Sequence, residues 1–222
     1  DLATFKPVGD AVFRAYELLF TSPKTPLNAE VEGVVNETED WREEKVSFDT
    51  AYNGERMAAY LFLPKRVRPP YQTVLFFPSA RVLFLPPDSS HLGDLQFFDY
   101  IVQSGRAVMY PIYEDMYERV EPKLGYNPPS ADENYELIVD WFKDAARSLD
   151  YLATRSDIDN TRLAYLGVSM GSADGVILST LLQDRLRTAM LLFGGYGFQT
   201  PSPGFDQADV ALRLKIPVLM VN

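Results

Sequence analysis

Five residues, Gly167-Val168-Ser169-Met170-Gly171, carry the pattern G-x-S-x-G. A serine in this setting is a candidate nucleophile toward a carbonyl carbon. Held on a sharp strand-to-helix turn, it projects its oxygen above a sheet, and small residues on either side let the flanking backbones pass closely. The helix that follows aims its N-terminal amides and positive dipole end at the point where negative charge develops. Composition alone would produce the pattern in roughly one chain of this size in fifteen, so its surroundings decide its meaning. Here Leu163–Val168 reads as a strand running into the motif, and Ser172–Leu182 as a helix leaving it. That is the confirming context.

An attacked carbonyl also needs two N–H donors for its oxyanion. One is expected from Met170, the residue after the nucleophile. The other is expected from the loop after an early central strand, here Phe77-Pro78-Ser79-Ala80-Arg81, with Ala80 the first choice and Arg81 the second. The Arg81 side chain has an alternative use in holding a substrate carboxylate, or it lies on the surface. Serine attack further requires a base, and the base an orienting carboxylate. In folds with this elbow the chain order is Ser, then Asp or Glu, then His. No histidine follows Ser169; the one present, His91, lies well before it on a Pro-rich stretch. Asp174, Asp184, Asp206 and Asp209 are the acids that follow, and none ends a strand as the orienting acid should. The base and acid are therefore expected from polypeptide beyond Asn222, a C-terminal segment of the same protein or another chain. Residues 1–222 alone are expected to show little or no turnover.

The elements that must position Ser169 are legible as periodicities. Phe13, Tyr16 and Phe20 have helical spacing, and two prolines then break the pattern. Lys45–Asp49 and Met57–Leu63 read as an antiparallel strand pair, with Asn53-Gly54 in the connection between them. From Gln72 onward strands and helices alternate. Thr73–Phe77, Ala107–Tyr110, Leu163–Val168, Ala189–Phe193 and Pro217–Val221 read as buried strands. Leu95, Phe98 and Val102 face one side of a helix that Gly105 should cap, and Ile138–Leu152 is the clearest amphipathic helix. Such alternation implies a mostly parallel sheet with helices on both faces and an antiparallel N-terminal pair at its edge. A single domain over 1–222 is expected, with an N-terminal helix and edge strands in 1–70 and the core in 71–222. The long Tyr- and Pro-rich connection Ile112–Tyr135 offers Tyr113 and Tyr117, with Glu118 and Arg119, as substrate walls; Gly194–Pro203, with Tyr196 and Phe198, offers another.

Bulk properties bound the remaining functions. The 222 residues are 46% hydrophobic and 23% charged, with a net charge of −10 and no cysteine. The acidic excess argues against a nucleic-acid partner. No apolar run approaches the roughly 20 residues of a membrane span. Disulfides, zinc thiolates and a thiol nucleophile are excluded. The compartment is not determined by these numbers.

Further segments extend the likeness beyond the motif. Phe13–Asn28, the run Trp41-Arg42-Glu43-Glu44-Lys45-Val46-Ser47-Phe48-Asp49, and Ala59-Tyr60-Leu61-Phe62-Leu63-Pro64 resemble bacterial α/β-hydrolases of the dienelactone hydrolase and acetyl xylan esterase (prolyl-oligopeptidase-like) kind. Modules of that kind also occur fused behind bacterial serine/threonine kinase domains. The likeness runs on through Ser156-Asp157-Ile158-Asp159, the elbow and Ile216–Asn222. It implies an α/β-hydrolase fold whose last strand and helix, with the Asp and His, lie beyond Asn222. It also implies a serine esterase acting on a small-molecule ester with no metal or organic cofactor. The post-strand loop departs from relatives, which carry more glycine there. The competing readings are a peptidase of the same fold and a hydrolase-fold binding or sensory module without catalysis.

Overall fold

The computed structural model describes residues 6–120, 131–194 and 207–222. Its centre is an eight-stranded sheet with β1 (Glu30–Glu37), β2 (Trp41–Asp49), β3 (Arg56–Pro64), β4 (Tyr71–Phe77), β5 (Ala107–Pro111), β6 (Ile158–Val168), β7 (Thr188–Leu192) and β8 (Val218–Val221). The spatial order is β1-β2-β3-β5-β4-β6-β7-β8. The first three strands are antiparallel to their neighbours. From β5 to β8 every pairing is parallel. The helices are α1 (Asp10–Glu17), α2 (Asp99–Gln103), α3 (Ala131–Thr154), α4 (Met170–Leu181) and α5 (Gln207–Ala211). Among the described residues no helix is long and apolar enough to cross a membrane.

Burial explains why the parallel strands read so clearly. β4 and β5 are buried along nearly their whole length, as strands covered on both faces must be. Phe76, Phe98 and Tyr110 pack edge to face beside Phe62, with centroids about 5–6 Å apart. The expected strand pair is present, and Asn53 and Gly54 both take positive φ, 53° and 69°. That is the backbone that favours an Asn-Gly pair in tight connections. Gly105 likewise sits at φ 93° after α2, with its N–H on Val102 O at 2.9 Å.

The structure adds elements that periodicity did not reveal. β1 is an outer strand whose Val31, Val34 and Val35 are exposed, so its apolar residues mark no buried face. β6 begins at Ile158 rather than Leu163: Ile158 pairs with Tyr71, a register shift follows, and Leu163 pairs with Thr73. The helix expected around Leu95 is split into a 3-10 turn, Leu95–Phe97, and the short α2. α5 occupies part of what looked like a loop before the last strand. Its Asp209 is buried and accepts the Val8 N–H at 2.7 Å.

Candidate active site

Ser169 stands between β6 and α4 at φ 52°, ψ −106°. A β-carbon is disfavoured there, at a cost of about 1–3 kcal/mol that the surrounding structure must hold in place. Several contacts supply the restraint. Ser169 N–H donates to Leu192 O on β7 at 2.8 Å, while Ser172 and Ala173 N–H return to Ser169 O at 2.9 Å. Gly171 N–H donates to Pro78 O at 3.2 Å, which ties the helix start to the loop after β4. The two motif glycines are sites of close approach. A β-carbon on Gly167 would overlap the carbonyl of Gly171, and one on Gly171 would overlap the Phe77 carbonyl. Ser169 is half-buried, and its side chain makes no capping bond to α4, so the hydroxyl is not consumed in holding the helix.

Of the oxyanion donors expected from sequence, one follows Ser169 directly and the other belongs to the loop that Pro78 O ties to the start of α4. Met170 opens α4, and its N–H donates to no carbonyl among the described residues. In the loop after β4, Ser79 N–H is held by Asp94 Oδ2 at 2.7 Å, and Arg81 N–H faces Ser79 Oγ at 3.4 Å. Ala80 N–H is left without a partner among the described residues. Asp94 is buried and takes a left-handed backbone at φ 65°. Sequence reading missed it, because a carboxylate between Gly93 and Leu95 carries no local signal for a contact with Ser79.

Other candidates have different surroundings. Arg81 is exposed on the 3-10 turn Ala80–Phe84. Tyr113 is fully buried, stacks on Phe77 at 4.3 Å and donates to Phe76 O at 3.2 Å. Tyr117 is equally buried, accepts the Gly93 N–H at 2.8 Å and pairs with Tyr110 Oη at 3.2 Å. The walls expected of these two tyrosines are therefore packed scaffold in this structure, and Tyr113 supports the Phe77 backbone on which Gly171 rests. Glu118 holds the hydroxyl and N–H of Ser89, and Arg119 lies in an ion-pair cluster with Glu114 and Asp144. His91 is exposed, with Nδ1 on Ser90 Oγ at 2.9 Å. Asp184 is exposed just after α4, and Asp206, Tyr196 and Phe198 lie outside the described residues. A cavity of about 210 Å³ lined by Arg68, Arg106 and Arg162 opens near the N-terminal ends of β4 and β5, at the far end of the sheet from Ser169.

The fold has counterparts among solved structures. An acetyl xylan esterase from Paenibacillus sp. R4 superposes with TM-score 0.66 at 18% identity, covering 94% of this chain and 77% of that one. Acetyl xylan esterase 1 from Thermoanaerobacterium sp. JW/SL YS485 gives 0.68 at 14% identity, covering 97% and 79%. The chain has the α/β-hydrolase fold. Among curated proteins, the α/β hydrolase domain-containing protein WAV2 of Arabidopsis thaliana is 35% identical over 68 residues. That match spans 31% of this chain and 22% of the plant protein's length. No protein-family model matches. Within the α/β-hydrolase fold, Ser169 occupies the strand-to-helix corner at the C-terminal rim of the parallel strands, where ligands bind in open α/β sheets.

One carboxyl near the corner is under electrostatic strain. Asp174 lies on α4, partly buried and without a hydrogen-bond partner among the described residues, and burial pushes it up to about 7. With its folded value above the ordinary 3.8, the folded protein retains a proton that the unfolded chain releases. The stability contributed by that proton is complete below about pH 4 and is lost as pH rises through 7. Asp174→Asn removes this dependence. The variant is expected to match the parent near pH 4.5 and to exceed it by about 1–2 kcal/mol at pH 8, the shift being discounted for partial exposure. Urea unfolding at the two pH values checks this; a gap independent of pH contradicts it.

Proposed function

We propose that this α/β-hydrolase fold serves a carboxylic ester hydrolase working through an acyl-enzyme on Ser169. Ser169 Oγ attacks the ester carbonyl carbon and its proton passes to a histidine supplied from outside these 222 residues, oriented there by a carboxylate. The N–H groups of Met170 and Ala80 receive the developing oxyanion. The tetrahedral intermediate collapses as the C–O bond to the alcohol breaks, and the histidine returns its proton to the leaving oxygen. Water, deprotonated by the same histidine, then releases the acid and restores the serine. We read residues 1–222 as one domain, a reading supported by the one sheet into which all the described strands pair.

The observation that carries this reading is the conjunction at one corner. A strained, uncapped serine stands at φ 52°, the amide after it and the Ala80 amide in the adjoining loop have no partner among the described residues, and Gly171 N–H ties that loop to the elbow through Pro78 O. Backbone donors held in advance at the site of charge development supply a large part of acyl-transfer catalysis. That the superposed structures are acetyl xylan esterases supports an ester over a peptide amide, and the substrate class is a small-molecule ester.

The deciding experiment treats the intact parent protein with a fluorophosphonate probe and maps the adduct by mass spectrometry. The probe is expected on Ser169 and absent from Ser169→Ala, with esterase turnover lost at least 10³-fold in that variant. A parent with its complete chain that takes no label, and hydrolyses no ester, favours the non-catalytic binding module instead.

A further inference from the structure

Phe193 is the first residue past β7, and three of its properties are unusual together. Its side chain is large and apolar, it is 60% exposed, and its backbone takes φ 56°. A non-glycine residue in the left-handed region costs about 1–2 kcal/mol. Among the described residues burial repays little of that cost, because Phe193 stays 60% exposed. The backbone has a reason to bend: Phe193 N–H donates to Val221 O at 2.7 Å. Gly194, which follows, packs so closely on the elbow that a β-carbon there would overlap Ser169 O. Ser172 Oγ donates to Gly194 O at 3.2 Å. That geometry accounts for the turn, and leaves a phenylalanine there unexplained by stability.

The partner of the ring points to a use. Phe193 meets Phe97 with centroids 5.8 Å apart and planes tilted by 55°. Phe97 ends the 3-10 turn that begins one residue after Asp94, the carboxylate that holds Ser79 N–H in the loop after β4. In the sheet β4 and β7 are not neighbours; β6 lies between them. The loop after β4 and the end of β7 therefore flank the end of β6. Ser169 is the residue that leaves β6 at that end, and Val168 pairs with Leu192, which sets Ser169 level with Phe193. An aromatic pair therefore lies at the rim near the nucleophile, one ring on the 3-10 turn that follows Asp94 and the other on the first residue past the strand beside the elbow.

We infer that Phe97 and Phe193 form the specificity wall of the Ser169 site, and that the ester it takes carries an aromatic ring next to the scissile bond. This rests on the esterase reading above. Flat apolar faces stack or meet edge to face with a substrate ring, whereas an acetyl or ethyl group offers little to either phenyl. The wall acts on binding and orientation. It takes no part in proton transfer, so its removal leaves the chemistry at Ser169 intact.

The test uses the intact parent protein, Phe193→Ala, Phe97→Ala and the ring-retaining Phe193→Tyr, with phenyl acetate, ethyl benzoate and ethyl acetate as substrates. Either alanine variant is expected to lower kcat/KM on at least one aromatic ester by about 10–100-fold, chiefly through KM. Ethyl acetate turnover and the rate of fluorophosphonate labelling at Ser169 should stay within about threefold of the parent, and Phe193→Tyr should restore most of the aromatic preference. The ester that loses most shows whether the wall serves the acyl or the alcohol half. Equal losses on all three substrates, or no loss on either aromatic ester, overturn the inference while labelling of Ser169 keeps the esterase reading standing. A parent that takes no label removes both.

Discussion

Replacing Gly171 with alanine is expected to lower the midpoint of thermal unfolding by about 6–12 °C, the equivalent of about 3 kcal/mol in a chain of this length. The cause is contact with backbone. The added carbon would overlap the carbonyl of Phe77, whose ring is itself stacked on Tyr113 and meets Trp141 edge to face. No rotamer change relieves such an overlap; α4 must move away from β4, and the Gly171 N–H to Pro78 O bond goes with it. Gly167→Ala should be at least as damaging, since its new carbon meets the carbonyl of Gly171 across the elbow itself. Gly9→Ala is the control, because nothing lies within 4 Å of the added atom. It should cost under about 1 kcal/mol as a change at a helix N-cap. Melting curves followed by circular dichroism compare the three. Midpoints for both elbow variants within about 2 °C of the Gly9 variant would show that the corner is looser than its contacts state.

The second large effect concerns Arg119, expected from sequence on a substrate wall and found instead in a cluster below the rim. Its Nη1 donates to Asp144 and to Ile112 O, and its Nη2 donates to Glu114 and Tyr52 Oη. Tyr52 Oη lies 3.0 Å from Asp144 Oδ1, and Glu114 N–H donates to Asp144 Oδ2 at 3.0 Å. The cluster joins the β2–β3 connection, the segment after β5 and helix α3. Burial pushes Asp144 up to about 6 even with Arg119 and the hydrogen bonds pulling it down. Arg119→Leu strands that carboxylate, and breaking a buried pair from one side costs about 3–5 kcal/mol. Without the guanidinium the carboxyl titrates at still higher pH, so the folded variant gains stability by taking up a proton as pH falls. The deficit should therefore be smaller at pH 5.5 than at pH 8, and Arg119→Leu/Asp144→Asn should recover part of it. Denaturant unfolding at both pH values measures this, and a deficit that grows toward acid pH would contradict the account.

The elbow was readable because all its requirements are local. A strand, a tight bend with glycines on either side and a helix occupy consecutive residues, and Gly167, Ser169 and Gly171 state the geometry in their own side chains. The parallel strands were readable for a related reason: burial on both faces demands unbroken apolar runs such as Thr73–Phe77. β1 was not, since an exposed outer strand places no demand on its side chains. Asp94, Phe97 and Phe193 were missed because each acquires its meaning from a neighbour remote in sequence. Tyr113 and Tyr117 were placed on an open wall because aromatic composition cannot separate a ring lining a cleft from one packed beneath it. The two tyrosines turned out to be fully buried, with their hydroxyls engaged.

Chain order alone was enough to name Ser169 as the nucleophile candidate and to place it at a strand-to-helix corner of a largely parallel sheet, because periodicity and bend chemistry act over a few residues. Only the folded arrangement could decide which backbone amides remain free beside it and which aromatic rings border it. Those depend on tertiary packing: the strand order sets the loop after β4 and the end of β7 on either side of β6, and the Phe97–Phe193 contact joins residues nearly a hundred positions apart.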